Sequence, residues 1–422
     1  MPASYLRKLI GTNSCCLVGE QPGCCQFILE TILNTERVSL WTLFTLFLRI
    51  GSTAFGGFMA LIAVVENHLV ERRKWLTHED MLDGVSLATV LPGPIAVNVI
   101  AYAGHRLRGL PGALVCTIGV ILPAFLLMLS LSAAYFAWGQ IPAVGKLFMG
   151  FIPAVAAIIL VAAWNMGRKT IKGVPEALIA LVAAALMIWK GSFAVSFAII
   201  VMSGLTGWLV FREKQTAVSS KQTGELNNSG KLLSVAAAPL ALVSPFWSVN
   251  AALLLKLFTT FAGMSVFLFG GGYVFIPLMQ ATVVASTGWL TQQEFVDAIA
   301  MSQIMPGPIV LSTVFIGYKV AGLLGALVAT LGIFLPPGIL MIAGTHVLNR
   351  IKQSAVIKSV LRGIRPAIIG MIASAVVAVG MTAQQHWLSL LIFSAALLAQ
   401  LRFKLDVVWV IPTAGLVGLL MF

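Results

Sequence analysis

Leu91-Pro92-Gly93-Pro94-Ile95 and Met305-Pro306-Gly307-Pro308-Ile309 each sit inside an apolar run that should otherwise be helix. Proline carries no amide hydrogen. Pro92 and Pro94 therefore leave the carbonyls of Ala88 and Val90 without helical donors, and Pro306 and Pro308 do the same to Ser302 and Ile304. Gly93 and Gly307 add backbone freedom between the prolines. A single proline in such a run reads as a kink, but two breaks in one span are costly in lipid unless they line a polar cavity. The recurrence of the element favours a broken helix at a substrate site. Pro94 and Pro308 suit the first position of a new helix, whose unpaired amides form an anion site. Asn98 and, opposite it, Ser312 or Thr313 stand in the first turns as further donors.

The surrounding composition sets the solvent. Hydrophobic residues make up 59% of the 422 positions, charged residues 10%, and the mean hydropathy is +0.98. A soluble domain carries about 25% charged residues. Apolar runs fall near 39–63, 81–103, 110–137, 146–165, 175–189 and 192–210, then near 232–247, 249–280, 295–318, 321–347, 364–381, 386–401 and 405–422. Runs of this length cross hydrocarbon as helices, so the fold class is all-α: a polytopic membrane protein of about 12–13 transmembrane helices.

The two halves repeat. Phe55-Gly56-Gly57 matches Phe269-Gly270-Gly271, Trp75-Leu76-Thr77 matches Trp289-Leu290-Thr291, and Asp83 matches Asp297, all in the register of the Pro-Gly-Pro elements. A one-residue deletion follows, after which Gly104, Gly109, Gly112-Ala113-Leu114 and Leu122-Pro123 match Gly317, Gly322, Gly325-Ala326-Leu327 and Leu335-Pro336. Such duplication is common in secondary transporters. The chain divides into an N-terminal extension (1–38), a first repeat (39–210), a polar linker with a possible extra span (211–248) and a second repeat (249–422). If 232–247 crosses, Arg350, Lys352, Lys358, Arg362, Arg365, Arg402 and Lys404 move to the cytoplasmic side. The charge pattern thus favours thirteen spans and inverted repeats.

The net charge of +13, from 27 Lys+Arg against 14 Asp+Glu, lies mostly in short links between apolar runs. It reads as membrane orientation with a bias toward anions, and no nucleic-acid partner is expected. Arg49 is the only charge between Arg37 and Glu66. It reads either as the counter-charge for an anion or as the partner of a carboxylate such as Asp83. Lys256, nearer a span end, snorkels to the interface. Asp83 and Asp297 either carry a coupling proton or cap the helices they open. Gly56-Gly57 and Gly270-Gly271-Gly272 either unwind a helix or permit close helix contact. Cys15, Cys16, Cys24 and Cys25 have metal-site or acylation spacing without a nearby histidine, and the extension reads as weakly ordered. It lacks the pattern of a signal peptide. The histidines show no ligand spacing, so neither metal nor cofactor is expected.

Taken jointly, the Phe-Gly-Gly element, Trp-Leu-Thr with its following Asp, Pro-Gly-Pro-Ile and Gly…Gly-Ala-Leu…Leu-Pro resemble the two-domain form of the chromate ion transporter family, over 39–210 and 249–422. The resemblance implies export of chromate, conferring resistance, across a cytoplasmic (inner) membrane, driven by the proton gradient or anion exchange. Sulfate, a tetrahedral dianion of near-identical size, is then the competing substrate or an alternative one. Arg49 faces Gly263 in the repeat register, so a symmetric two-arginine site is excluded. A membrane reductase would show haem-ligand histidines, a Cys-ligated cluster or a flavin segment, and none is present. An enzyme is therefore not expected, and the oligomeric state stays open. The residues assigned to substrate are Arg49, Gly56, Gly57, Pro92, Gly93, Pro94, Asn98, Gly270, Gly271, Pro306, Gly307, Pro308 and Ser312, with Asp83 and Asp297 for coupling.

Overall fold

The computed structural model describes residues 38–53, 57–138, 142–211, 251–269, 272–345, 354–382 and 387–421, and all regular structure among them is helical. The paired cysteines, the linker with 232–247, Gly56, Gly270 and Gly271 lie outside the described residues. The first half opens with α1 (Leu40–Thr53) and α2 (Gly57–Glu66), the latter running into a π turn over Asn67–Arg72. Trp75-Leu76-Thr77 then opens α3 (His78–Val90), where Thr77 and Asp80 cap each other's backbone. After the Pro-Gly-Pro break comes α4 (Ile95–Trp138), which turns a corner at Arg108 and Gly109, with the glycine at φ 64°. α5 (Pro142–Thr170), α6 (Val174–Trp189) and α7 (Phe193–Val210) complete the half.

The second half repeats these steps. α8 (Ala251–Ser265) leads through a 3-10 turn (Gly272–Val274) to α9 (Phe275–Met279) and a π turn over Gln280–Ser286. α10 (Gln292–Ile304) opens on a capping box of Thr291 and Glu294. Past the second break, α11 (Ser312–Thr345) has its corner at Ala321 and Gly322. α12 (Ala355–Thr382), α13 (Trp387–Leu401) and α14 (Val407–Met421) follow. The caps belong to Thr77 and Thr291, so the alternative in which Asp83 and Asp297 cap these helices is corrected: both stand in the second turn.

The stretches 81–103 and 295–318 read as single crossings in the sequence, and here the structure differs. Each is a hairpin. Asp80 at the start of α3 pairs with Arg106 near the end of the return arm, and Glu294 pairs with Lys319 in the same way. Between those ends, Gly84 lies so close to the Tyr102 ring that a Cβ would sit 2.7 Å from Cδ1. An arm of 13 residues is about 20 Å long, which is short of the roughly 30 Å hydrocarbon core. The apolar run is continuous, but the two prolines turn it back on itself.

The later helices exchange partners. α12 of the second half packs against α6 and α7 of the first, while α5 of the first packs against α13 and α14. Gly207 of α7 meets Gly363 of α12, and in the equivalent contact Gly150 of α5 meets Gly418 of α14. Small residues let such backbones approach closely. At one end of this bundle Arg362 donates to buried Glu176 (Nη2–Oε1 3.1 Å), and Ser359 donates to the Phe211 carbonyl at 3.0 Å. The two halves therefore share one hydrophobic core. Large apolar side chains such as Leu110, Leu114, Ile118, Leu178 and Leu181 stay on the outside, as lipid contact requires.

A methyl group added at the glycine crossing tests this packing. Gly363→Ala drives a Cβ into the Ser203 carbonyl and should cost about 1–3 kcal/mol by overpacking. Gly380→Ala, with nothing within 4 Å, should be neutral or stabilising. Thermal melting of both variants in detergent reads the difference.

Candidate substrate site at the helix breaks

At the first break α3 ends on Leu91 in extended geometry (φ −80°, ψ 150°), Gly93 takes φ +115°, and helix resumes at Ile95. Pro94 therefore precedes the new helix by one residue and leaves its carbonyl to accept from Asn98 N at 3.0 Å. The buried Asn98 side chain donates through Nδ2 to the Pro92 carbonyl at 3.0 Å, closing the loop from within. The Gly93 amide donates across the halves to the Leu268 carbonyl at 2.7 Å. A Cβ on Gly93 would overlap the ring of Pro337, so no other residue fits there.

The second break has the same outline with different chemistry. Met305 is extended, Gly307 takes φ +142°, and Pro308 caps a 3-10 turn over Ile309–Leu311 before α11 begins at Ser312. The 3-10 turn absorbs the one-residue deletion: three residues at about 2.0 Å rise cover the same length as four at about 1.5 Å. A Cβ on Gly307 would lie 2.9 Å from Ala124 Cβ. Ala124 and Pro337 are equivalent positions in the repeat, so each hairpin tip rests on the corresponding helix of the other half.

Residues on either side of the second Phe-Gly-Gly element reach the two tips. Val266–Phe269 is not helical, the Leu268 carbonyl holds Gly93, and Gly272 sits against Ile309. In the second half, helix therefore ends before this element. In the first half Gly57 is the first described residue of α2. Gly56 lies outside the described residues.

Ser312 is fully buried, and its hydroxyl donates to the Ile309 carbonyl at 2.9 Å. Its neighbour Thr313 is buried with its hydroxyl unpaired, and Gln303 is 7% exposed with both amide atoms unpaired among the described residues. These two flank the second break by one turn on either side. Sequence reading missed Gln303, although a lone amide in the last turn before Pro306 was a visible signal. In the first half the corresponding Thr89 donates to Ser86, and Val99 has no donor.

Arg49 projects from an exposed face of α1 that also carries Thr45, Ser52 and Thr53. It makes no ion pair among the described residues, so the alternative pairing with Asp83 is not realised. No described contact brings Arg49 to either tip. Asp83 is half-buried, within electrostatic reach of Arg106, while Asp297 is buried. Among the described residues no group of three His, Cys, Asp or Glu side chains is placed to hold a metal ion.

Comparison with known proteins places this architecture. The chromate transporter family model matches residues 41–208 and 255–419, one match on each repeat. The chain belongs to the chromate transporter family. An uncharacterised transporter of Methanocaldococcus jannaschii is 30% identical over 85% of this chain and 89% of its own length. A protein of Synechococcus elongatus named "Probable chromate transport protein" is 32% identical over 90% of this chain and 95% of its own. The chromate transport protein of Cupriavidus metallidurans is 29% identical over 89% and 92%. No solved structure matches the chain. This family member is thus a multi-pass membrane transport protein rather than an enzyme.

The Asn98 bond is testable on its own. Asn98→Ala strands the buried Pro92 carbonyl, which should cost about 1–3 kcal/mol and lower the melting temperature in detergent. A melting curve that coincides with wild type would remove Asn98 as the clasp of the first tip.

Proposed function

We propose that this chain exports chromate from the cytoplasm across the inner membrane by alternating access, conferring chromate resistance. The carrying observation is the pair of Pro-Gly-Pro hairpin tips, each seated on a helix of the opposite half, with the Leu268 carbonyl holding the first. Interrupted helices at membrane depth present unpaired amides, which suit a dianion without requiring a buried cation. Arg49 supplies a counter-charge on the approach, because a lone guanidinium at membrane depth is costly unless it faces water or an anion.

Inverted repeats fit this mechanism, and two facts support them. The long part of α4 starts at the mouth of the first hairpin, just past Arg106, and ends at Tyr135, which bonds Asp297 near the mouth of the second. With each hairpin returning to its own side, a half crosses an odd number of times, so polarity reverses without a crossing at 232–247. One face then collects Arg72, Arg73, Lys74, Arg106, Arg108, Arg168, Lys169 and Lys172, joined by Lys358, Arg362, Arg365, Arg402 and Lys404. The other holds Lys146, Lys190 and Lys319. The cation-rich face is the cytoplasmic one, and it draws a dianion from the side that must be cleared.

Uptake of labelled chromate from the medium by everted vesicles reads the function directly. Arg49→Ala should lower uptake by roughly tenfold or more with protein level unchanged, and excess sulfate should compete. Wild-type uptake of sulfate without chromate would assign the same scaffold to sulfate. Single cysteines in the Trp75 and Trp289 loops should label from opposite sides of the membrane, and labelling from one side would sink the inversion.

A further inference from the structure

Asp297 is the most deeply buried described carboxylate without a cation. It is 2% exposed, and its oxygens accept from Tyr135 Oη at 2.7 Å and Gln293 Nε2 at 3.1 Å. Tyr135 comes from the first half, at the end of α4, and is held in place by aromatic edges. Phe136, Phe148 of α5 and Phe315 of α11 lie with ring centroids 5.2, 5.2 and 5.1 Å from it. The bond therefore ties the second hairpin to a helix of the opposite half.

The charged neighbours are otherwise engaged or distant. On α10 itself Glu294 lies one turn away and pairs with Lys319 of α11. Tyr318 of α11 stacks on Phe136. α5 carries Lys146, exposed, at this end, with Arg168 and Lys169 at the other. The cations of α12 are Lys358, Arg362 and Arg365, all in its first three turns at the far end, and α14 carries no charge. An ionised carboxylate in such surroundings costs several kcal/mol unless its donors compensate. Asp83, the repeat equivalent, differs: it is half-buried with Arg106 in reach. Duplication placed an aspartate in both hairpins, and only one became enclosed.

We propose that Asp297 alone carries the coupling proton of the transport cycle and that Tyr135 is its positioning residue. The proposal rests on the oxyanion-carrier reading and adds the coupling ion, its site and a count of one. A tyrosine hydroxyl both donates and accepts. With Asp297 ionised, Tyr135 donates to Oδ2. When a proton from the external face binds Oδ2, the new O–H donates to Tyr135 Oη, whose own hydrogen rotates away. The contact between halves persists, its polarity reversed, and the hairpin loses one negative charge. The proton leaves by the same reversal after the hairpin shifts, so one proton enters for each oxyanion exported.

Two measurements test this. In infrared difference spectra of purified protein titrated with acid, a protonated-carboxyl band should appear, vanish in Asp297→Asn, shift in Tyr135→Phe and remain in Asp83→Asn. In proteoliposomes, Asp297→Asn should lose the acceleration produced by a proton gradient, by roughly tenfold or more, yet keep chromate–sulfate counterflow at equal pH. Tyr135→Phe should keep both but move the pH of half-maximal acceleration, which a merely structural contact would not do. If Asp297→Asn fails to fold, Asp297→Glu should retain the acceleration with a displaced pH profile. Persistence of the band or the acceleration in Asp297→Asn, loss of counterflow along with it, or an undisplaced Asp297→Glu profile would each overturn the proposal. A wild-type protein with the titrating band but no oxyanion flux would instead overturn the carrier reading and leave the protonation site standing.

Discussion

Backbone polar groups have no water to turn to in hydrocarbon, and two prolines in sequence take away the donors that a helix would otherwise supply. Everything distinctive in this fold answers that shortage. The carbonyl of Pro92 is met by Asn98, the amide of Gly93 by Leu268, and the glycine's missing side chain lets Pro337 close over the turn. A helix broken at this depth cannot simply continue with its ends bare. Folding back as a hairpin keeps the exposed groups together at one tip, where protein or a substrate can satisfy them.

That answer requires the other half. The residue facing Gly93 is Pro337, and the residue facing Gly307 is Ala124, so neither tip is completed by its own repeat. The exchange of α5 and α12 between the bundles has the same consequence on a larger scale, with glycine pairs allowing the crossings. A motion that displaces one hairpin must therefore move against a helix of the opposite half. This is the geometry that rocking of one repeat on the other needs.

Symmetry is kept in the backbone and given up in the side chains. Both corners, both π turns and both capping boxes recur. The chemistry at the tips does not. Asn98 clasps the first, whereas the second is flanked by Gln303 and Thr313, which have no partner among the described residues. Asp297 is enclosed and bonded to Tyr135, while Asp83 stays beside Arg106, and Arg49 has only Gly263 opposite it. The two copies of the duplicated unit thus keep one backbone outline and differ in which polar side chains are bonded.

The helical membrane class, the duplication and its register, the broken helices and the family were all legible in the sequence. They rest on local facts: apolar run length, a constant offset, and proline's missing hydrogen. Gly93 and Gly307 were legible for the same reason, because a left-handed turn between prolines admits little else. The return of each hairpin was not legible, since an apolar run reads alike whether it crosses or folds back. Only the pairing of Asp80 with Arg106 and of Glu294 with Lys319 decides it. The surroundings of Gln303 and Tyr135 were equally hidden, because Gln303 is marked by the absence of a described partner and Tyr135 reaches Asp297 from 162 positions away. Those are contacts between distant segments, and no periodicity along the chain encodes them.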